Sequence, residues 1–255
     1  GRIGRMADAE TLLRRAVELA PNFLTARSNL ATVLHRQGRT AEALTELDEL
    51  LAIDPENVGN ANLKAAALGR IGGYDEAIAL YEQVLARVET QPKVWMSYGH
   101  VLKTVGRQAE SIDAYRRAIA IAPQLGEVWW SLANLKTVTF GDDDLAAMEG
   151  ALERPGLSDE DRFHLHFALG KALEDRKNPR ESFAHYSEGN RLRRAMLGYE
   201  ADDTTRQVDR AIGIFTPALF AARAGQGCPA PDPVFVIGMP RAGSTLIEQI
   251  LASHS

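Results

Sequence analysis

The sequence predicts a mainly α fold: a solenoid of helix pairs followed by the start of an α/β domain. Three observations predict it. Glycines recur at Gly4, Gly38, Gly72 and Gly106, 34 residues apart. Between them apolar residues return at helical spacing, as Leu30, Leu34, Ala43, Leu47, Leu50 and Ile53 do. The chain then closes on "VFVIGMPRAGSTLIEQIL", residues 234–251, where an apolar run meets a glycine-rich turn and an amphipathic stretch. A fixed period of roughly 20–50 residues marks stacked units, none of which can bury its apolar face alone.

Each unit reads as a helix, a turn and a second helix. The glycine takes φ > 0 without a Cβ penalty and so stands where the first helix must turn. Pro21, Pro55 and Pro123 keep the same period and stop the second helix, with Glu89 where a fourth proline is missing. Ala9, Ala43 and Ala77 are each followed four residues on by a bulky residue, Leu13, Leu47 and Tyr81, and Tyr115 continues the bulky series. A small residue facing a large one lets two helices approach closely. The fourth unit, with Trp95, Tyr98-Gly99, Leu102, Gly106, Tyr115, Ala118 and Pro123, resembles the tetratricopeptide repeat (TPR). That resemblance implies a right-handed solenoid with a concave inner face.

The repeats occupy residues 1–125, the first of them only a second helix, which reads as a truncated start. Residues 126–196 carry degenerate repeats, with Trp129 and Leu132 in register, Gly141 one residue late, and Leu169-Gly170, Leu173 and Tyr186 restoring the pattern. Ser158, with Asp161 three residues on, reads as an acidic capping box. Residues 197–223 form a connecting helix with Val208, Ile212 and Phe215 on one side, broken near Pro217. The stretch 224–233, "AGQGCPAPDP", is a linker by composition, and 234–255 open the α/β domain.

With 45 % apolar and 25 % charged residues the chain has the balance of a globular protein, not of a disordered one. A net charge of -5 gives no global reason to bind nucleic acid or an anionic membrane, so an anion site must be built locally. No apolar stretch reaches the roughly 18 residues of a spanning helix, no signal sequence opens the chain, and Cys228 is alone. The expectation is a cytoplasmic protein with no nucleic-acid or membrane partner.

In a TPR the first helix of each pair lines the groove. By that register Ser28, Asn29, Thr32, His35 and Arg36 face it, joined by Asn62, Arg70, Met96, His100, Lys103, Trp130 and Asn134. Such a lining can hold a protein partner or an extended peptide; the alternative is that it packs on the C-terminal domain. It does not match the two-lysine, two-asparagine clamp of chaperone-binding TPRs. His164 and His166, two apart on a helix, point to different sides and cannot share a metal by themselves. Asp142, Asp143 and Asp144 open a helix, where negative charge offsets its dipole, and Arg191, Arg193 and Arg194 read as a solvated face.

"PVFVIG" has the continuous apolar character of a buried parallel strand, and "TLIEQILASH" puts Leu246, Ile247, Ile250 and Leu251 on one helical face. Strand, glycine-rich turn and helix make a phosphate cradle of backbone amides. Gly238 and Gly243 have the spacing of a nucleotide P-loop and Thr245 its last hydroxyl, but Ser244 replaces the lysine, which argues against ATP or GTP hydrolysis. The charge sits instead at Arg241, whose guanidinium can grip anionic oxygens in a bidentate manner.

"FVIGMPRAGSTLIEQILASH" resembles the phosphosulfate loop of sulfotransferases, above all the Golgi and tyrosylprotein type, and bacterial proteins with TPRs ahead of such a domain resemble the chain in both halves. The resemblance implies a P-loop-like sulfotransferase domain using 3′-phosphoadenosine 5′-phosphosulfate (PAPS) as donor, with no metal. Arg241 is the implied catalytic group and, with Ala242, Gly243, Ser244 and Thr245, would hold the donor. Ala242 and Ser244 depart from the family's Ser and Thr. Its base and 3′-phosphate contacts lie downstream of this motif, so the piece ending at Ser255 is expected to be inactive; Glu248 reads as a packing or surface residue. The expectation is a TPR-containing sulfotransferase acting on an acceptor hydroxyl or amine. The alternatives are a non-catalytic TPR scaffold and, third, a nucleoside-triphosphate-binding domain.

Overall fold

The computed structural model describes residues 2–227, 230, 234–238 and 242–254. They fall in two compact units, Gly1–Gly198 and Tyr199–Ser255. The first unit is a run of helices: α1 (Arg2–Leu19), α2 (Leu24–Arg36), α3 (Thr40–Ile53), α4 (Val58–Ile71), α5 (Tyr74–Arg87), α6 (Pro92–Thr104), α7 (Gln108–Ile121), α8 (Gly126–Ala133), α9 (Asp142–Leu152), α10 (Asp159–Asp175) and α11 (Pro179–Leu197). Gly38, Gly72 and Gly106 make the left-handed turns after α2, α4 and α6, at φ +81°, +90° and +83°. Gly4 does not turn. It lies inside α1. Pro55 and Pro123 each stand two residues past the helix they terminate, as Glu89 does after α5.

Successive helices pack as hairpins up to α8 and again at α10–α11, whereas α8 and α9 meet through α10 rather than as a hairpin; first helices also lie against their counterparts, α2 on α4, α4 on α6 and α8 on α10. Apolar side chains from α4 to α10 form one continuous core. Each fully buried Leu contributes about 1.5–3 kcal/mol of transfer free energy, but the register comes from interlocks. A Cβ on Gly99 would lie 2.6 Å from the Tyr115 ring, and the buried Ser111 hydroxyl donates to the Gly99 carbonyl at 2.8 Å. The α10–α11 pair repeats the device: a Cβ on Gly170 would lie 2.8 Å from Tyr186, and Ser182 donates to the Gly170 carbonyl at 2.7 Å. The indoles of Trp95 and Trp129 likewise donate to the carbonyls of Glu89 and Pro123, at 2.8 and 2.9 Å.

The later repeats depart in ways that local chemistry explains. Lys177, at φ +59°, stands in the α10–α11 turn where α2–α3, α4–α5 and α6–α7 have glycine, and Lys136, at φ +61°, is left-handed after α8. Gly141, at φ -79°, precedes α9 as its N-cap instead of turning the chain, and its amide donates to Asp144 at 3.1 Å. Ser158 caps α10, accepting from the Asp161 amide at 3.0 Å. The reciprocal arm of a capping box is absent, because Asp161 instead accepts the Gly126 amide at 3.0 Å and ties α10 to the start of α8. The approach is close: a Cβ on Gly126 would meet the Asp161 carbonyl oxygen at 2.1 Å.

In the second unit α12 (Ala201–Ile214) and α13 (Pro217–Ala222) meet at the break before Pro217, and α14 (Ser244–Ser253) closes it. The expected α/β start is not formed. Val234–Gly238 are not in a strand, nor is any other described residue; among the described residues no second extended segment offers the ladder partner that a strand's amides and carbonyls require. Phe235 and Ile237 are 82 % and 93 % exposed, the reverse of a buried parallel strand. Cys228 of the linker lies outside the described residues.

Candidate functional site

The face built by the first helices carries most of the residues that the repeat register points to, and it gathers them into separate hollows. His35, Arg70 and His100 meet in one of about 310 Å³, with Tyr74, Tyr81, Ser97 and Thr104 completing its polar lining. Arg70 spans two helices here, one guanidinium nitrogen donating to the His35 carbonyl at 2.7 Å. Arg36 and Lys103 are exposed beside it. Burial above all, then Arg70 and Arg36, holds the His35 imidazole below its ordinary range. Burial and Lys103 do the same to His100, whose Nε2 lies 3.0 Å from the Ser131 hydroxyl of α8. Among the described residues no carboxylate pairs with Arg36, Arg70 or Lys103, whereas the neighbouring Arg27 and Lys64 reach Glu46 and Asp48 at 3.3 and 2.7 Å.

The other predicted groove residues lie apart. Asn29 lines a smaller hollow of about 210 Å³ with Thr25, Asp54 and Asn57, beside Ser28 and Asn60, whose side chains bond at 2.8 Å. Asn62 is half-buried on α4, and Met96 is buried in the core. Asn134 caps the C-terminus of α8, its amide donating to the Trp130 carbonyl at 2.9 Å. Trp130 faces a third hollow, of about 550 Å³, with Glu127, Glu160, Phe163, Phe167, Tyr186 and Arg193. Of this set the repeat register put only Trp130 in the groove, while Tyr186 entered as one of the residues that restore the repeat pattern. The signal for the rest is Phe163 and Phe167, one turn apart on α10.

His164 and His166 do face different surroundings. His164 lines the third hollow, while His166 lies with its Nδ1 3.0 Å from that of His185. Among the described residues no group of three or more His, Cys, Asp or Glu side chains is placed to hold a metal ion. No helix among them is long and apolar enough to cross a membrane.

At the closing motif Arg241 lies outside the described residues, as do Met239 and Pro240. Gly243 takes φ +86° as the N-cap of α14, no side chain caps the helix, and a Cβ on Gly238 would lie 3.5 Å from that of Ala242. Ala242, Gly243, Ser244 and Thr245 are all exposed, with Ser244 and Thr245 opening the helix.

Two tetratricopeptide-repeat family models match the chain, over residues 4–67 and 62–125, and a sulfotransferase-family model matches residues 233–255. An uncharacterized protein of Aquifex aeolicus (strain VF5) is 26 % identical over 99 % of this chain and 39 % of its own length. The uncharacterized protein y4yS of Sinorhizobium fredii is 32 % identical over 40 % of this chain and 54 % of its own. Human tetratricopeptide repeat protein 7B is 28 % identical over 47 % of this chain and 14 % of its own. The chain thus spans about two fifths of the Aquifex relative. Among solved structures, BtubC from P. vanneervenii matches at TM-score 0.56 and 19 % identity, over 78 % of this chain and 92 % of that one. The MamA RS-1 ArsTM double mutant matches at TM-score 0.51 and 19 % identity, over 70 % and 98 %. The chain is a mainly helical, TPR-like solenoid in which residues 4–125 are tetratricopeptide repeats.

Proposed function

We propose that the chain is a protein-interaction scaffold whose first-helix face holds an extended, acidic polypeptide segment. One observation carries the reading. In a chain of net charge -5, Arg36, Arg70 and Lys103 cluster on that face with no carboxylate partner among the described residues. Cations left unpaired on a groove favour a partner of opposite charge, and more through association rate and specificity than through raw affinity. His35 and His100, held neutral near pH 7 by burial, add hydrogen-bonding capacity without adding charge. The test is fluorescence anisotropy with a labelled Asp/Glu-rich peptide of about 12 residues and its Lys/Arg-rich counterpart. Acidic peptide should bind at least about tenfold more tightly, weaken with salt, and lose binding in the Arg70→Glu, Lys103→Glu double variant. Equal binding of the two peptides contradicts the reading.

A second reading rests on the closing motif: a PAPS-dependent sulfotransferase in which the scaffold presents the acceptor. Two things support it, the family match at residues 233–255 and the left-handed Gly243 that starts an uncapped helix. Its cofactor would be PAPS, with Arg241 on the 5′-phosphate and the amides and hydroxyls of Gly243, Ser244 and Thr245 beside it. Calorimetry of the full-length protein with 3′-phosphoadenosine 5′-phosphate tests it. Micromolar binding lost in Arg241→Ala favours the enzyme, and absence of binding leaves the scaffold alone.

A further inference from the structure

The hollow between α8, α10 and α11 is chemically unlike the cationic face around Arg70. Aromatic rings form its walls: Trp130 and Phe167 lie 5.6 Å apart between centroids, Phe163 and Phe167 5.9 Å, and Phe167 and Tyr186 6.4 Å. Two carboxylates line it as well, the half-buried Glu127 and the exposed Glu160, and among the described residues neither has an ion-pair partner. Burial above all, then the charge of Glu160, raises the Glu127 carboxyl above its ordinary range, with Lys93 pulling the other way. The His164 Nδ1 is buried at the same site and makes no hydrogen bond. One cation is already in place: the Arg193 guanidinium lies over Phe163, 5.1 Å from its centroid.

From this we infer that the hollow is a binding site for a basic side chain, a lysine ammonium or an arginine guanidinium of the partner, seated on Trp130 and Phe167 and neutralised by Glu127 and Glu160. Charge complementarity selects that occupant. Aromatic faces attract cations through their quadrupole, and the attraction grows when a nearby carboxylate shares the desolvated site. An acidic side chain meets two like charges there, and a purely apolar one leaves the His164 nitrogen and both carboxylates without partners. Arg193 shows that a guanidinium fits against these rings, and its own charge holds an incoming cation to the Trp130 side. The inference adds to the scaffold reading the chemistry of a second position along the same ligand, an anionic stretch near Arg70 and a basic residue near Trp130.

The test uses small probes, so that it does not depend on the peptide groove: Nα-acetyl-lysine methylamide and Nα-acetyl-arginine methylamide, against the glutamate and leucine counterparts, followed by the indole N–H shifts in NMR. The basic probes should bind at least about tenfold more tightly than the other two and shift the Trp130 resonance, which Trp130→Leu identifies by its loss. Glu127→Gln with Glu160→Gln, whose side chains make no hydrogen bond among the described residues, should weaken the basic probes about fivefold or more while the protein stays folded by circular dichroism. Arg193→Ala should tighten them about two- to fivefold by removing a like charge. Absence of basic-probe binding, equal binding of the glutamate probe, or indifference to the Glu→Gln pair each overturns the site. Acidic-peptide anisotropy on the same samples reports separately on the Arg70 face, so the two readings fail by different results.

Discussion

Gly1–Gly198 and Tyr199–Ser255 carry apolar helix faces of similar promise, yet only the first unit buries them. On α6 the residues Trp95, Tyr98 and Leu102 are inside, whereas on α12 Val208 and Ile212 are 52 % and 67 % exposed, and no described residue after Gly198 is buried. An apolar stripe is therefore necessary but not sufficient. The first unit adds small residues at the crossings, Gly99 under Tyr115 and Gly170 under Tyr186, which let a second helix come close enough to exclude water. α12 and α14 have no such partner within their unit.

The largest break in that contrast should come from Gly126→Ala. Its Cβ meets backbone instead of a movable side chain, so a loss of about 3 kcal/mol or more is expected in denaturant unfolding, against about 1–3 kcal/mol for Gly99→Ala. A loss under about 1 kcal/mol at Gly126 would show that α8 and α10 can slide apart. Acid should come next. The unfolded chain protonates histidine near the ordinary value of about 6.5, while burial holds His35, His100, His164, His166 and His185 below it. The unfolded state then binds more protons, so stability is complete above about pH 6.5 and falls as the pH drops below it. Melting midpoints of the Gly1–Gly198 unit at pH 7.5 and 5 measure this, and no decline contradicts it.

Exchanging the turn residues gives a smaller, signed effect. Lys177→Gly should gain about 0.5–1 kcal/mol and Gly106→Lys should lose about 1 kcal/mol, because both positions are left-handed. The smallest effect belongs to an exposed apolar residue of α12: Ile212→Asp, at a position 67 % exposed, should shift the unfolding free energy of its own unit by less than about 0.5 kcal/mol. A larger shift would mean that Ile212 is covered.

How far these features were legible follows the same division. The glycine turns and the small-to-large pairs repeat every 34 residues, so sequence alone places them. The Gly126–Asp161 contact lies between α8 and α10, and only the packing reveals it. Lys177 gives no sign of a left-handed turn, since lysine rarely takes one. The aromatic hollow draws on three helices, of which the groove register named one residue, Trp130. The strand expected at 234–238 rested on composition, and a strand also needs a neighbour that composition cannot supply.

Hydrogen exchange of the chain with and without a bound acidic peptide tests the scaffold account most directly. Protection should rise on α2, α4 and α6, around His35, Arg70 and His100, and leave α3, α5 and α7 unchanged. Protection confined to the second helices, or to α12 through α14, would contradict it.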